Sequence, residues 1–288
     1  MIRSVPAPMT NPRPMWVVLL VAAVTLYIIA AGLLRLMAQP FDWFVWEEAV
    51  ARLADGTLYE SHGDYAFVWS PIAAWLLALI VPLGVQVWQV AHVAALALLR
   101  DWRLIALALF TLPFWIDTMI GNTVVFVAVA GVLALRGSRW GSLVYLALCL
   151  LMPRPLQLPL ALWILWRQPD TRRWFAAMAV ASIMLVAWSG YGPAWVEDLT
   201  SFAGGGLLTS PANLGPTRIL GSLWLVISVP LAAWLTIKGR LGLAGLAISP
   251  YVLPMYPLVL LWEWVEPSST SGSARVGHGS NANDRDDE

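Results

Sequence analysis

The sequence predicts an all-α, polytopic integral membrane protein, a bundle of roughly 8–11 short transmembrane or re-entrant helices with one interfacial helix in the first external loop. Three observations lead there. Hydrophobic residues make up 59% of the chain and charged residues 12%, about half the charge of an ordinary soluble domain. The charges avoid long stretches: residues 15–34, 65–99, 118–135, 174–196, 219–237 and 241–262 contain no Asp, Glu, Lys or Arg. The basic residues that remain gather in five short clusters between these stretches.

Residues 1–14 contain four prolines and read as a disordered cytoplasmic lead-in. Residues 15–264 read as a single membrane domain and 265–288 as a disordered polar tail rich in Ser, Gly, Asn and Asp. The first apolar run, 15–37, is too long for a signal-peptide core and reads as a retained anchor. Residues 38–66 form the first external loop. Within it, Trp43 to Ala54 has helical spacing, with Trp43, Trp46, Val50 and Leu53 on one face and Glu48, Arg52 and Asp55 on another. Glu48 and Arg52 form an i,i+4 pair, and Gly56 stands where the helix should end. Trp43, Phe44 and Trp46 suit the headgroup level.

The stretch 65–99 is too long for one upright helix and is broken by Pro82 and Gly84, so a crossing plus a tilted or re-entrant piece is expected. The stretch 140–166 is expected as two short helices meeting at Pro153-Arg154-Pro155. Backbone broken at membrane depth is tolerated where it is buried in protein or lines a wet cavity. Residues 189–217, with Gly204-Gly205-Gly206 and Ser210-Pro211, read as a second, mobile external loop. The basic clusters Arg3/Arg13, Arg100/Arg103, Arg136/Arg139, Arg167/Arg172/Arg173 and Lys238/Arg240 put those ends in the cytoplasm, with the N-terminus, and the polar loops outside.

A formal net charge of zero gives no field to attract nucleic acid. Cys149 is the sole cysteine, which excludes an internal disulfide, and the scattered histidines His62, His92 and His278 suggest no metal cluster. Asp42, at the outer end of the first span, has two open roles: a helix N-cap before Trp43, or a general base for an incoming hydroxyl. Arg154 lies between prolines in an otherwise uncharged stretch of 27 residues, 140–166. It either snorkels to the headgroups or grips a phosphate. Asp117 and Asn122 bracket a turn that turn chemistry alone explains, and they are also candidates for substrate contact. His62 and Asp64 could contact sugar hydroxyls or be simply solvated. Arg218 is an interfacial anchor or a second phosphate contact, and Trp69 a belt residue or a platform for a sugar ring.

These features, in this order, resemble the polyprenyl-phosphate-mannose-dependent mannosyltransferases of glycosyltransferase family 87 (the DUF2029 group), within the GT-C fold. The resemblance is carried by Asp42-Trp43-Phe44-Val45-Trp46-Glu47-Glu48-Ala49 followed by Asp55-Gly56-Thr57-Leu58-Tyr59. Phe67-Val68-Trp69-Ser70-Pro71, Gly121-Asn122 with Pro113 upstream, Met152-Pro153-Arg154-Pro155, and Ser249-Pro250 with Tyr256 add to it. The chain departs from the family pattern in lacking Gln at the Gly121-Asn122 turn, in Arg for Lys at 154, and in Ser70 where Pro is frequent.

The resemblance implies an inverting, metal-independent hexosyltransferase without a cofactor, in a prokaryotic plasma membrane with its active site outside. The donor would be a lipid-linked sugar, the acceptor a glycan or glycolipid. Asp42 would be the base, Arg154 and then Arg218 the phosphate contacts, and Trp69, Asp117, Asn122, His62 and Asp64 substrate contacts. Two other readings stay open: a transporter or flippase of an amphipathic substrate, which needs a path opening to both sides, and a non-catalytic membrane relative, which needs no cavity.

Overall fold

The computed structural model describes residues 41–60, 67–201 and 213–265, whose regular elements are all helical. The sequence assignments of residues 1–37, His62, Asp64, Gly204-Gly205-Gly206, Ser210-Pro211 and the tail beyond 265 lie outside the described residues.

Helix α1 spans Phe41–Asp55, α2 Pro71–Ile80 and α3 Val85–Ala97. A 3-10 turn at Val81–Leu83 and Gly84 (φ +85°) separates α2 from α3, and the two segments bend by 106°. Pro82 lacks the N–H that an unbroken helix needs, and Gly84 adopts a φ that other residues resist. Helices α4 (Trp102–Leu109) and α5 (Leu112–Ile120) form a second bent pair, at 71°. Helix α6, Val124–Leu135, follows, then α7, Arg139–Leu151. The break expected at Pro153-Arg154-Pro155 is there. It leads through a 3-10 turn, Pro155–Gln157, into α8, Leu158–Arg167. Helix α9, Pro169–Ser189, and α10, Gly192–Ser201, make the third bent pair, at 106° around Gly190. The last helices are α11 (Thr217–Leu220), α12 (Leu223–Ile237) and α13 (Leu241–Ile248), followed by a 3-10 segment, Tyr256–Trp264.

Among the described residues no single helix is long and apolar enough to cross a membrane, whereas each of the three bent pairs reaches that length and composition together. Large apolar side chains such as Ile183, Trp188, Ile219, Val226 and Ile237 are more than two-thirds exposed on the outside of the bundle.

The core forms around α6, almost every residue of which is buried. It packs against α7, α3 and the 3-10 segment Tyr256–Trp264. At Gly131 the Trp262 indole lies where a Cβ would be, with Trp262 Nε1 donating to the Ala128 carbonyl at 2.9 Å. A mid-helix Gly→Ala change ordinarily gains up to about 1 kcal/mol. Overpacking here costs about 1–3 kcal/mol, so Gly131→Ala is expected to lower the thermal midpoint of the purified protein. A raised midpoint would contradict this packing.

A second core joins α1, α2 and Met152. Here the expected helix is found and so is its Glu48–Arg52 pair, at 3.0 Å, with Gly56 at φ +78° just past its end. Three expectations are corrected. Trp43 and Trp46 do not turn their rings outward: both are buried in the protein, within a tryptophan cluster with Trp69 and Trp88. The aromatic rings on the outer side are Phe41 and Phe44. Val50 and Leu53 pack against this core with Trp43 and Trp46, as their spacing predicted, while Arg52, expected on the opposite face, is buried beside Ala49 and donates to the Glu60 carbonyl at 3.1 Å. Residues 192–201 are helical, where a loop was expected, as are Asp117 to Ile120. In the latter case the helix runs on to Gly121, whose left-handed φ ends it.

Candidate functional site

Gly121 decides where the site forms. With φ +81°, its missing Cβ would lie 3.0 Å from the Trp43 Cβ. Helix α1 can therefore seat its first turn directly on the α5–α6 turn. That seating carries Asp42 to Asn122, eighty positions away in the chain: Asn122 Nδ2 donates to Asp42 Oδ2 at 2.5 Å. The other end of the same amide faces the opposite way. Asn122 Oδ1 accepts from Arg154 Nη2 at 2.8 Å, and Arg154 Nη2 also donates to Thr123 Oγ1 at 2.9 Å. Asp42, Asn122, Thr123 and Arg154 thus form one network drawn from three separate parts of the chain.

Arg154 reaches this point because the break that carries it is held on both sides. Its backbone N–H donates to Gln157 Oε1 at 2.9 Å, and Tyr145 donates its hydroxyl proton to the Gln157 carbonyl at 2.9 Å. Its guanidinium carbon lies 5.5 Å from the Trp69 ring centre, a cation–π distance. The side chain is buried, and Arg154 Nη1 has no hydrogen-bond partner among the described residues. A buried unpaired donor costs about 1–3 kcal/mol, and an anion placed there would remove that cost.

Asp42 lies in the first turn of α1, so it is not an N-cap; its carboxylate is committed across the fold to Asn122. The residue is partly exposed, yet its carboxyl group is crowded by protein. Desolvation pushes the Asp42 carboxyl up to about 6, opposed by the Asn122 hydrogen bond and the Arg154 charge and assisted by the Asp117 charge. Such a group can change protonation near neutral pH, which a general base requires. Tyr256 is buried within electrostatic reach of both Arg154 and Asp42.

Of the other residues anticipated from sequence, Asp117 is fully buried, and its carboxylate accepts from the backbone N–H groups of Val124 (3.2 Å) and Val125 (2.8 Å). It therefore caps the start of α6, where the helix dipole favours a negative charge. Trp69 is half-buried, one side of its ring given to Arg154 and its neighbours Trp46 and Phe67 in contact. Arg218 is exposed on α11, which Asn213 and Thr217 fasten to the Pro250–Val252 backbone, and lies outside the four-residue network.

Sequence reasoning passed over Thr123, Gln157, Trp88 and His92. Trp88 Nε1 donates to the Gly121 carbonyl at 3.0 Å, and His92 sits against the Asn122 carbonyl at 2.9 Å. Only their polar atoms, set in an uncharged stretch, hinted at these partners. No family model, curated protein or solved structure matches the chain, so the reading of this site rests on its own geometry.

Proposed function

We propose that the chain is an integral membrane glycosyltransferase that moves a sugar, mannose in the first instance, from a polyprenyl-phosphate donor to a lipid or glycan acceptor. The observation that carries this reading is the convergence of a carboxyl titrating near neutrality with a buried, half-satisfied guanidinium through Asn122. The three apolar bent helix pairs and the exposed apolar outer surface support the membrane assignment. The positions of the basic clusters support an active site on the external side, and a prokaryotic plasma membrane follows from the resemblance alone.

In the proposed reaction the acceptor hydroxyl oxygen attacks the anomeric carbon as its proton passes to Asp42. The bond from that carbon to the phosphate oxygen breaks, and its electron pair leaves on the phosphate. A phosphodiester with one negative charge thereby becomes a monoester with two. Charge grows at the leaving group, so a cation already fixed beside it lowers the barrier more than it tightens the ground state. Arg154 is that cation, with Nη1 the donor left for the phosphate. Asn122 keeps base and cation at a fixed separation and prevents them from collapsing into a direct ion pair.

The test is transfer of radiolabelled mannose from polyprenyl-phosphate mannose into lipid or glycan products, in membranes with and without the protein. Equal incorporation in the two would remove the reading. The rate should also depend on pH. Asp42 acts ionised and titrates near 6. Transfer is therefore expected to be flat above about pH 7 and to fall about tenfold per unit well below pH 6. A rate unchanged down to about pH 4.5 would exclude Asp42 as the base.

A further inference from the structure

We infer that the end of the bundle opposite Asp42 is a seat for anionic phospholipid headgroups, held by three guanidiniums that each lie over an exposed tryptophan: Arg103 over Trp102, Arg139 over Trp174 and Arg167 over Trp166. The inference rests on the membrane reading of the outer surface and not on sugar transfer.

Helix α6 sets the two ends apart. It begins beside Asn122 and Thr123 and finishes at Leu135, about 18 Å away at 1.5 Å per residue. At its far end the neighbouring turns are tied together. Arg136 donates to the Leu99 carbonyl and, at 2.9 Å, to Asp101 Oδ2, which fixes the α3–α4 turn. Gln168 Nε2 donates to the Ala134 carbonyl at 3.1 Å, and Gln168 Oε1 accepts from the Ser142 hydroxyl at 2.7 Å, which fixes the α8–α9 turn against α6 and α7. Segments 99–103, 134–142 and 164–174 therefore share one end, and they hold seven arginines and two aspartates. Segments 41–60 and 192–201 share the other, because Tyr191, Ala194 and Trp195 pack on the core of α1 and α2. These two segments hold seven carboxylates and one arginine. The bundle is thus electrically polarised, and an anionic partner is drawn to the arginine end alone.

The two aspartates do not neutralise that end. Asp101 takes Arg136 at 2.9 Å and Asp170 takes Arg173 at 3.6 Å. Arg172 donates to the Leu165 carbonyl at 2.6 Å and to the Trp166 carbonyl at 3.2 Å. The side chains of Arg103, Arg139 and Arg167 have neither a carboxylate nor a hydrogen bond among the described residues. Their guanidinium carbons lie instead 5.7, 5.7 and 4.8 Å from an indole ring centre. A cation–π contact takes up none of the five guanidinium donors, so all are left for a ligand. The rings themselves are open: Trp102 is 66% exposed, Trp166 67% and Trp174 49%, with Trp140 beside them at 77%. Indoles so placed suit a headgroup layer, which takes the apolar ring and the polar N–H together. A guanidinium lying on such a ring can meet a lipid phosphate with two parallel hydrogen bonds. A zwitterionic headgroup brings its own cation back to the arginines and an anionic one does not, so the surface selects the anionic lipid.

The test reads lipid, not activity. Full-length protein is reconstituted into vesicles of equal parts phosphatidylglycerol and phosphatidylcholine, extracted in neutral detergent, and the lipid still bound is measured by mass spectrometry. Wild type is expected to retain phosphatidylglycerol over phosphatidylcholine by about tenfold, less at high salt. The triple variant Arg103→Gln, Arg139→Gln, Arg167→Gln breaks no hydrogen bond within the described residues. It is expected to keep its thermal midpoint in phosphatidylcholine and to retain the two lipids in nearly the vesicle ratio. The corresponding Lys triple restores the charge without the planar donor fork and is expected to fall between the two. Undiminished enrichment in the Gln triple would overturn the proposal, and enrichment in the Lys triple equal to wild type would overturn the seat of indole-borne guanidiniums. Wild type that floats with the vesicles yet retains both lipids in the vesicle ratio would overturn the inference alone. Protein that does not float with them would overturn the membrane reading beneath it.

Discussion

Asp42→Asn is expected to lower the rate of sugar transfer by about a hundredfold to ten-thousandfold at saturating donor, the range that a positioned general base contributes. The substitution is close to isosteric, and it removes the group that would take the proton from the acceptor. Its structural cost is small by comparison. The Asn122 amide loses a charged acceptor and keeps a neutral one, a change of about 1 kcal/mol. Protein level and thermal midpoint should therefore be nearly unchanged while transfer disappears. Asp42→Glu is a useful companion, because it retains the carboxylate and moves it by about one bond beyond the reach of Asn122 Nδ2. Partial activity with an altered acid limb would mark a base out of place. Full activity in Asp42→Asn would show that the proton goes elsewhere, and the chemistry assigned to this corner would fall with it.

Arg154→Gln is expected to reduce kcat by about a hundredfold to a thousandfold, with a smaller effect on KM for the donor. The leaving phosphate gains charge along the reaction, so the loss falls more on the transition state than on the bound donor. Lys at this position should recover part of the rate. It restores the charge but has one ammonium where the guanidinium has two ends, one for Asn122 and Thr123 and one free. Some instability accompanies either change, about 1–3 kcal/mol, because the Asn122 and Thr123 oxygens lose a buried donor. The informative comparison is thus the ratio of rate to folded protein. A donor KM raised with kcat intact would make Arg154 a plain anchor for the lipid phosphate.

The two substitutions should also differ in pH behaviour. Removing Arg154 takes away a charge that lowers the Asp42 carboxyl, so the acid limb of any residual transfer moves upward. Asp42→Asn removes the titrating group, so its residual rate should lose the limb altogether.

Much of this architecture was legible in the sequence because its determinants are local. The Glu48–Arg52 pair and the helix around it follow from spacing of 3.6 residues per turn, and Gly56 ends that helix by its own backbone freedom. The bend at Pro82-Gly84 and the break at Pro153-Arg154-Pro155 are written in residues that cannot continue a helix. Uncharged runs separated by basic clusters told where apolar helices would lie, and a lone Arg in such a run signalled that something must receive it.

Tertiary structure alone decided which polar groups meet. Asp42 and Asn122 are eighty positions apart, and nothing in the spacing of either reveals that a missing Cβ at Gly121 lets Trp43 settle on that turn. The same holds for Trp43 and Trp46, whose amphipathic rings suit an interface as well as a core until α1 docks and buries them. Asp117 looked like part of a turn, and the end of α5 brought its carboxylate under the amides of α6. Periodicity fixes which face of a helix is apolar; it does not fix which helix covers that face, and hydrogen bonds between distant side chains form only once that choice is made.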